Sequence, residues 1–228
     1  MKRKYYLALA FIATGITAYS QTQKPEIYKR EGYTLTFSNN DNTLPVAEQQ
    51  RIVNTFFEVY PKLAKAYNKH TEKNVIISID TAYKGVAETG DAHIVISSRW
   101  LHLHPEDIDV VTHEGMHIVQ DYKESTGPGW LTEGIADYAR YTFGINNTAA
   151  SWKLPAYKAG QSYENSYRIT ARFLLWIEQN GKPGLVKELD EQLRKHTYTA
   201  DSWKQLTGKT LDELWKEYAA ASPASPSA

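Results

Sequence analysis

Residues 105–122, PEDIDVVTHEGMHIVQDY, constrain the fold of this chain more than any other stretch. Ile108, Val111, Gly115, Ile118 and Tyr122 recur at spacings of three and four, so they share one face of a helix and need a core beside them. His113 and His117 are also four apart and stand one above the other on another face. Pro105 suits a helix start, where no N–H is needed, and Glu106, Asp107 and Asp109 suit the positive end of the helix dipole. The segment predicts a helix over about 105–123, packed on one side and chemically equipped on another.

The flanks differ in period. Before the segment, 32–37 (GYTLTF) alternates like a strand, and 46–67 carries apolar residues at helical spacing. Residues 74–80 (NVIISID) and 92–97 (AHIVIS) are β-branched runs that predict two more strands, with GVAETGD as a turn between them. After Pro105 the period stays helical near 130–143, 163–179, 183–196 and 210–220. The pattern predicts a single α+β domain over 33–221, with a small mixed or antiparallel sheet first and a mainly helical half second. Residues 21–32 are expected to be a polar lead-in and 222–228 a disordered tail.

At the amino terminus, Lys2, Arg3 and Lys4 precede an apolar run from Tyr5 to Thr17, and the small residues Ala18 and Ser20 follow. That order predicts a Sec signal peptide over 1–20, hence a secreted or periplasmic protein; the run is too short for the roughly 20 residues of a membrane span. The 228 residues contain no cysteine, so no disulfide scaffold is available. The 26 basic residues balance 26 acidic ones with no dense basic block, which argues against a nucleic-acid partner. Cleavage after Ser20 would remove three basic residues, leaving 23 against 26, a net charge of −3. A monomer with no membrane association after cleavage is expected.

HEGMH has the H-E-x-x-H spacing, in which two imidazoles bind one zinc and the intervening carboxylate reaches the water activated there. His113 and His117 are thus candidate ligands and Glu114 the candidate catalytic carboxylate. A third ligand is needed, and 130–140 (WLTEGIADYAR) offers Glu133 and Asp137, four apart on a second expected helix. Glu133 as ligand with Asp137 holding a ligand imidazole from behind is one assignment; Asp137 as ligand with Glu133 in support is the other. Asp121 lies about 12 Å along the helix from His113, too far to share an ion, and is expected to be solvated. A metzincin would need Gly and His where Gln120 and Lys123 stand, and no methionine follows Met116.

HEGMHIVQ, GWLTEGIADYAR, SYRITARFLLWIE and the closing LTGKTLDELWKEY together resemble the basic secretory protein family, secreted zinc metallopeptidases of plants and bacteria, over about residues 30–220. The resemblance implies a zincin-like fold and a gluzincin-type site with one Zn2+ per chain, His113, His117 and Glu133 as ligands, Glu114 as acid/base and a protein or peptide substrate. Gly115 and Met116 replace the bulkier first and small polar second residue of that motif, and the slightly acidic mature chain does not fit the word basic. Tyr163 and Tyr167, both in a family-like block, are candidate donors to the developing oxyanion. An extended substrate is expected to pair with residues 93–97, the strand before the helix. His102 and His104 are expected on a loop or strand rim, and Arg168 and Arg172 in structural ion pairs. A zinc amidase acting on cell-wall or glycan-linked amides, or a secreted binding protein with a structural zinc, are the other readings the sequence leaves open.

Overall fold

In the strand β2 (Tyr33–Asn39), Leu35, Phe37 and Asn39 are buried, every second residue, as one covered sheet face requires. The same alternation buries Val75, Ile77 and Ile79 in β3 (Asn74–Asp80) and Ile94 and Ile96 in β5 (His93–Ser97). Parallel pairing aligns these residues in rows, Phe37 with Ile77 and Ile77 with Ile94, then Ile79 with Ile96. Against the rows lies α1 (Val46–Tyr67), which buries Ile52, Val53, Phe56, Tyr60 and Leu63. The computed structural model describes residues 24–123 and 127–222. The expected signal peptide and most of the expected tail lie outside these residues.

Two strands were not expected. Within the polar lead-in, β1 (Glu26–Arg30) pairs antiparallel with β2, and within the expected turn GVAETGD, β4 (Ala87–Gly90) pairs antiparallel with β5. The sheet order is β1-β2-β3-β5-β4, three parallel strands between two antiparallel edges. Residues 93–97 are therefore interior, and β4 is the edge beside the paired histidines.

The helical half follows as α2 (Ser98–Leu103), α3 (Val110–Gln120), α4 (Gly129–Phe143), α5 (Tyr167–Asn180), α6 (Leu185–Arg194), α7 (Ser202–Thr207) and α8 (Leu211–Ala221). Among the described residues no helix is long and apolar enough to cross a membrane. The histidine helix starts at Val110, five residues later than expected. Asp107 and Asp109 do not sit in its first turn; both are buried, and each reaches a distant partner. Asp109 accepts the backbone N–H of Ile145 (3.0 Å) and of Asn146, while Asp107 pairs with Arg140. At the other end, the last carbonyls of α3 find partners in Thr71 at Ile118, Asn68 at Val119 and Arg194 at Val119 and Gln120.

Candidate metal and active site

His113 and His117 project from α3 toward α4, where Glu133 turns to meet them. His113 Nε2 lies 3.2 Å from His117 Nε2 and 3.2 Å from Glu133 Oε2, and His117 Nε2 lies 3.5 Å from the same oxygen. A tetrahedral zinc with ligand bonds of 2.0–2.1 Å holds its donor atoms about 3.3 Å apart. Two imidazole nitrogens and one carboxylate oxygen, all aimed at one point, fit that ion in chemistry and in spacing. Asp137 is not turned to this point; it is buried and accepts from His113 Nδ1 at 2.7 Å.

The back of His117 is held by a residue that spacing did not reveal. Gln120, three residues on and buried, accepts from His117 Nδ1 at 2.7 Å and donates through Nε2 to the carbonyl of Thr132 at 2.9 Å. One amide thus ties His117 to the residue preceding Glu133. With Asp137 and Gln120 accepting at the two Nδ1 positions, the Nε2 atoms are the ones that face the common point.

Charges are concentrated here. Burial works against the His113 imidazolium, but hydrogen bonds donated to Asp137 and Glu133 and the nearby carboxylates outweigh it and push His113 up to about 10. Burial likewise opposes the Glu133 anion, and the two imidazoles overcome it, holding the carboxyl at about 2. The acid and the imidazole stabilise one another's charged form where a cation would otherwise stand.

Glu114 is 6% exposed and is oriented by Thr89 of β4, whose hydroxyl donates to its Oε2 at 2.7 Å and to its main-chain carbonyl at 3.2 Å. Thr89 was hidden in the segment expected to be a turn. Gly115, one of the two departures from the family pattern, lies against α1: a Cβ here would stand 3.4 Å from the Tyr60 ring and 3.8 Å from Leu63, in ordinary contact.

The structure separates the two candidate tyrosines. The chain breaks at Ser166, φ 65°, and Tyr167, φ 48°, so a single 3-10 turn at Tyr163–Asn165 precedes α5 and no helix joins them. Tyr167 lines the cleft, its ring 6.1 Å from that of His113 and nearly parallel to it. The charge of Glu133, followed by burial, raises its pKa. Tyr163 faces elsewhere: its ring packs among Trp130, Phe173 and Trp215, and its hydroxyl donates to Asp212 at 2.9 Å. It does not line the cleft.

These groups lie in an open cleft of about 1680 Å³ between β4 and α4. The Ser97 N–H donates to the Val86 carbonyl at 3.0 Å, so by alternation Ala87 and Thr89 turn their backbone groups away from β5. The Tyr83 hydroxyl donates to the Ala87 carbonyl at 3.2 Å. Arg168 lines the cleft and is exposed, while Arg172 bonds Tyr218. His102 lies in α2 and pairs with Asp41 at 2.8 Å, while His104 is on the loop that follows α2, as expected, with its ring against Trp100.

Compared with curated proteins, the chain matches none. Among solved structures it is similar to an M1 zinc metallopeptidase from Deinococcus radiodurans, at 10% identity and a TM-score of 0.46, over 88% of this chain and 51% of that one. It is also similar to a mutant M1 zinc metallopeptidase of the same organism bound to a Tyr-Ser-Ala substrate, at 13% identity and a TM-score of 0.45, over 90% and 53%. The chain spans about half the length of these structures. The expected α+β architecture is the one observed, a mixed sheet followed by a helix with the paired histidines and a helix with the third acidic group. The profile of the family described as peptidase of plants and bacteria matches residues 29–218, the stretch that carries the basic secretory protein resemblance, and the chain belongs to that family.

Proposed function

We propose that this protein is a secreted zinc-dependent metallopeptidase, holding one zinc per chain on His113, His117 and Glu133. The observation that carries the reading is the mutual spacing of the three donor atoms, 3.2, 3.2 and 3.5 Å. When bound, zinc supplies a Lewis acid for the scissile carbonyl and lowers the pKa of a water toward about 7.

The chain's own residues do the rest. Glu114, aimed by Thr89, takes a proton from the attacking water and returns it to the leaving amine, serving as base and then as acid. Tyr167 offers its hydroxyl to the oxygen that gains charge; the nearby Glu133 carboxylate raises its pKa, so the phenol stays a donor at neutral pH. An extended peptide pairs with the outward backbone groups of β4, chiefly at Thr89, because Tyr83 already occupies the Ala87 carbonyl. Such pairing reads main chain, which suits a peptide substrate.

The variant Glu114→Gln tests this assignment. It keeps the ligands, so it should hold zinc and lose casein hydrolysis; turnover equal to the wild type rejects Glu114 as the acid/base. Secretion rests on the charged, apolar and small-residue order of 2–20. Mass spectrometry of the exported protein should find Gln21 first, and an intact Met1 in the exported form rejects it.

A further inference from the structure

The cleft extends past the ligand set at both ends, and the elements lining it fix its direction. The Ala87 end of β4 adjoins Ser97, at the start of α2, through the Ser97 to Val86 hydrogen bond. Its Gly90 end leads through Asp91 and Ala92 to the start of β3, where the Ile76 N–H donates to the Ala92 carbonyl. The course of α3 is the same, from Val110 to carbonyls met by Asn68 and Thr71. A peptide antiparallel to β4 therefore has its amino-terminal side toward Asp91 and His70 and its carboxy-terminal side toward Val110 and Trp100.

At that carboxy-terminal side the lining includes two half-buried indoles. Trp100 packs against His104, with centroids 3.9 Å apart and the rings tilted by 37°, and its Nε1 donates to Asp107 Oδ2 at 2.9 Å. Trp152 lies against the Arg140 guanidinium, 4.4 Å from its ring centroid, and Arg140 pairs with Asp107. One buried ion pair thus anchors both indoles and cancels its own charge. Trp130, Trp176, Trp203 and Trp215 pack against the main core, while Trp152 borders the smaller cluster of Leu154, Ala171 and Leu175 as well as the cleft. Val110 also lines the cleft, and the two indoles, each partly covered by His104 or Arg140, give it an apolar lining here.

Resting on the peptidase reading, we propose that this arm of the cleft is a specificity subsite for a large aromatic side chain on the residue that follows the scissile bond. Ring-on-ring contacts add to the apolar area such a side chain buries. The neutralised Asp107–Arg140 pair disfavours a charged one, since its partner is already supplied.

The test is digestion of a peptide library, with each new amino terminus read by mass spectrometry. Phe, Tyr and Trp should follow the cut at least about tenfold above their abundance in the library. In Trp152→Ala and in Trp100→Leu the enrichment should fall toward about one. A flat profile, a preference for charged or small residues, or unchanged enrichment in both variants overturns the subsite. Absence of all cleavage rejects the peptidase reading instead, and calorimetric titration then decides the subsite by itself. Acetyl-Ala-Gly-Phe-Ala-amide should bind the wild type about tenfold more tightly than acetyl-Ala-Gly-Ala-Ala-amide, and equally in Trp152→Ala. Equal affinities in the wild type overturn the proposal.

Discussion

Gly134 of α4 lies directly against Thr170 of α5: a Cβ on the glycine would stand 2.3 Å from Thr170 Cγ2, inside any tolerable contact. Gly134 follows Glu133, and Thr170 is three residues after Tyr167, so this contact sets how near α5 brings the tyrosine to the ligand carboxylate. Thr170 is fully buried and its hydroxyl is bonded to the Tyr163 carbonyl, which leaves it no route of escape.

The variant Gly134→Ala should therefore lose about 1–3 kcal/mol of stability by overpacking, despite the better helix propensity of alanine. Denaturant unfolding checks this. Partial loss of turnover should accompany it as Tyr167 is displaced, and wild-type stability would show that the helices can separate freely.

The two tyrosines should part in function. Tyr167→Phe should lower kcat by about 10²–10³ with zinc content retained, the scale of losing one oxyanion donor. Tyr163→Phe should keep turnover and lose about 1 kcal/mol with the Asp212 hydrogen bond. Steady-state kinetics beside thermal unfolding separates the outcomes, and equal turnover of Tyr167→Phe rejects that tyrosine as donor.

The residues behind the ligands should govern metal affinity. Asp137→Ala and Gln120→Leu each remove the acceptor that fixes an imidazole of the donor set, and each should weaken zinc binding about 10–100-fold. Competition with a chelating dye measures this; unchanged affinity in both would mean that α3 alone orients the rings.

The zinc-free protein should show a defined pH window. Glu133 is lowered from 4.5 to about 2, so its contribution to stability is complete above 4.5 and is lost as pH falls toward 2. His113 is raised from 6.5 to about 10, so its contribution is complete below 6.5 and is lost as pH rises toward 10. Melting of the zinc-free form should peak between the two, and zinc should extend stability to alkaline pH by replacing the His113 proton. Calorimetry in buffers of different ionisation enthalpy should find about one proton released per zinc at neutral pH.

The helix of the paired histidines was legible because helical periodicity is local: five apolar positions and two imidazoles suffice to define its faces. Glu133 and Asp137 were visible for the same reason, although only the fold showed which of them turns toward both Nε2 atoms. Other features depend on partners distant in sequence. The strand β4 is four residues, AETG, whose extended shape comes from pairing with β5, so Thr89 and the true sheet edge were concealed. Asp107 and Asp109 resembled helix-dipole partners until Arg140 and the 145–146 backbone claimed them. Positive φ at Ser166 and Tyr167, which no propensity announces, divided two tyrosines that share one family-like block.

The central claim is tested most directly by metal analysis of the purified protein beside His117→Ala and Glu133→Ala, with casein hydrolysis measured before and after chelation. The wild type should carry about one zinc per chain, both variants should lose it, and hydrolysis should vanish with the chelator and return with zinc. A wild-type protein that takes up no zinc when it is supplied, or variants that retain it in full, would contradict the account.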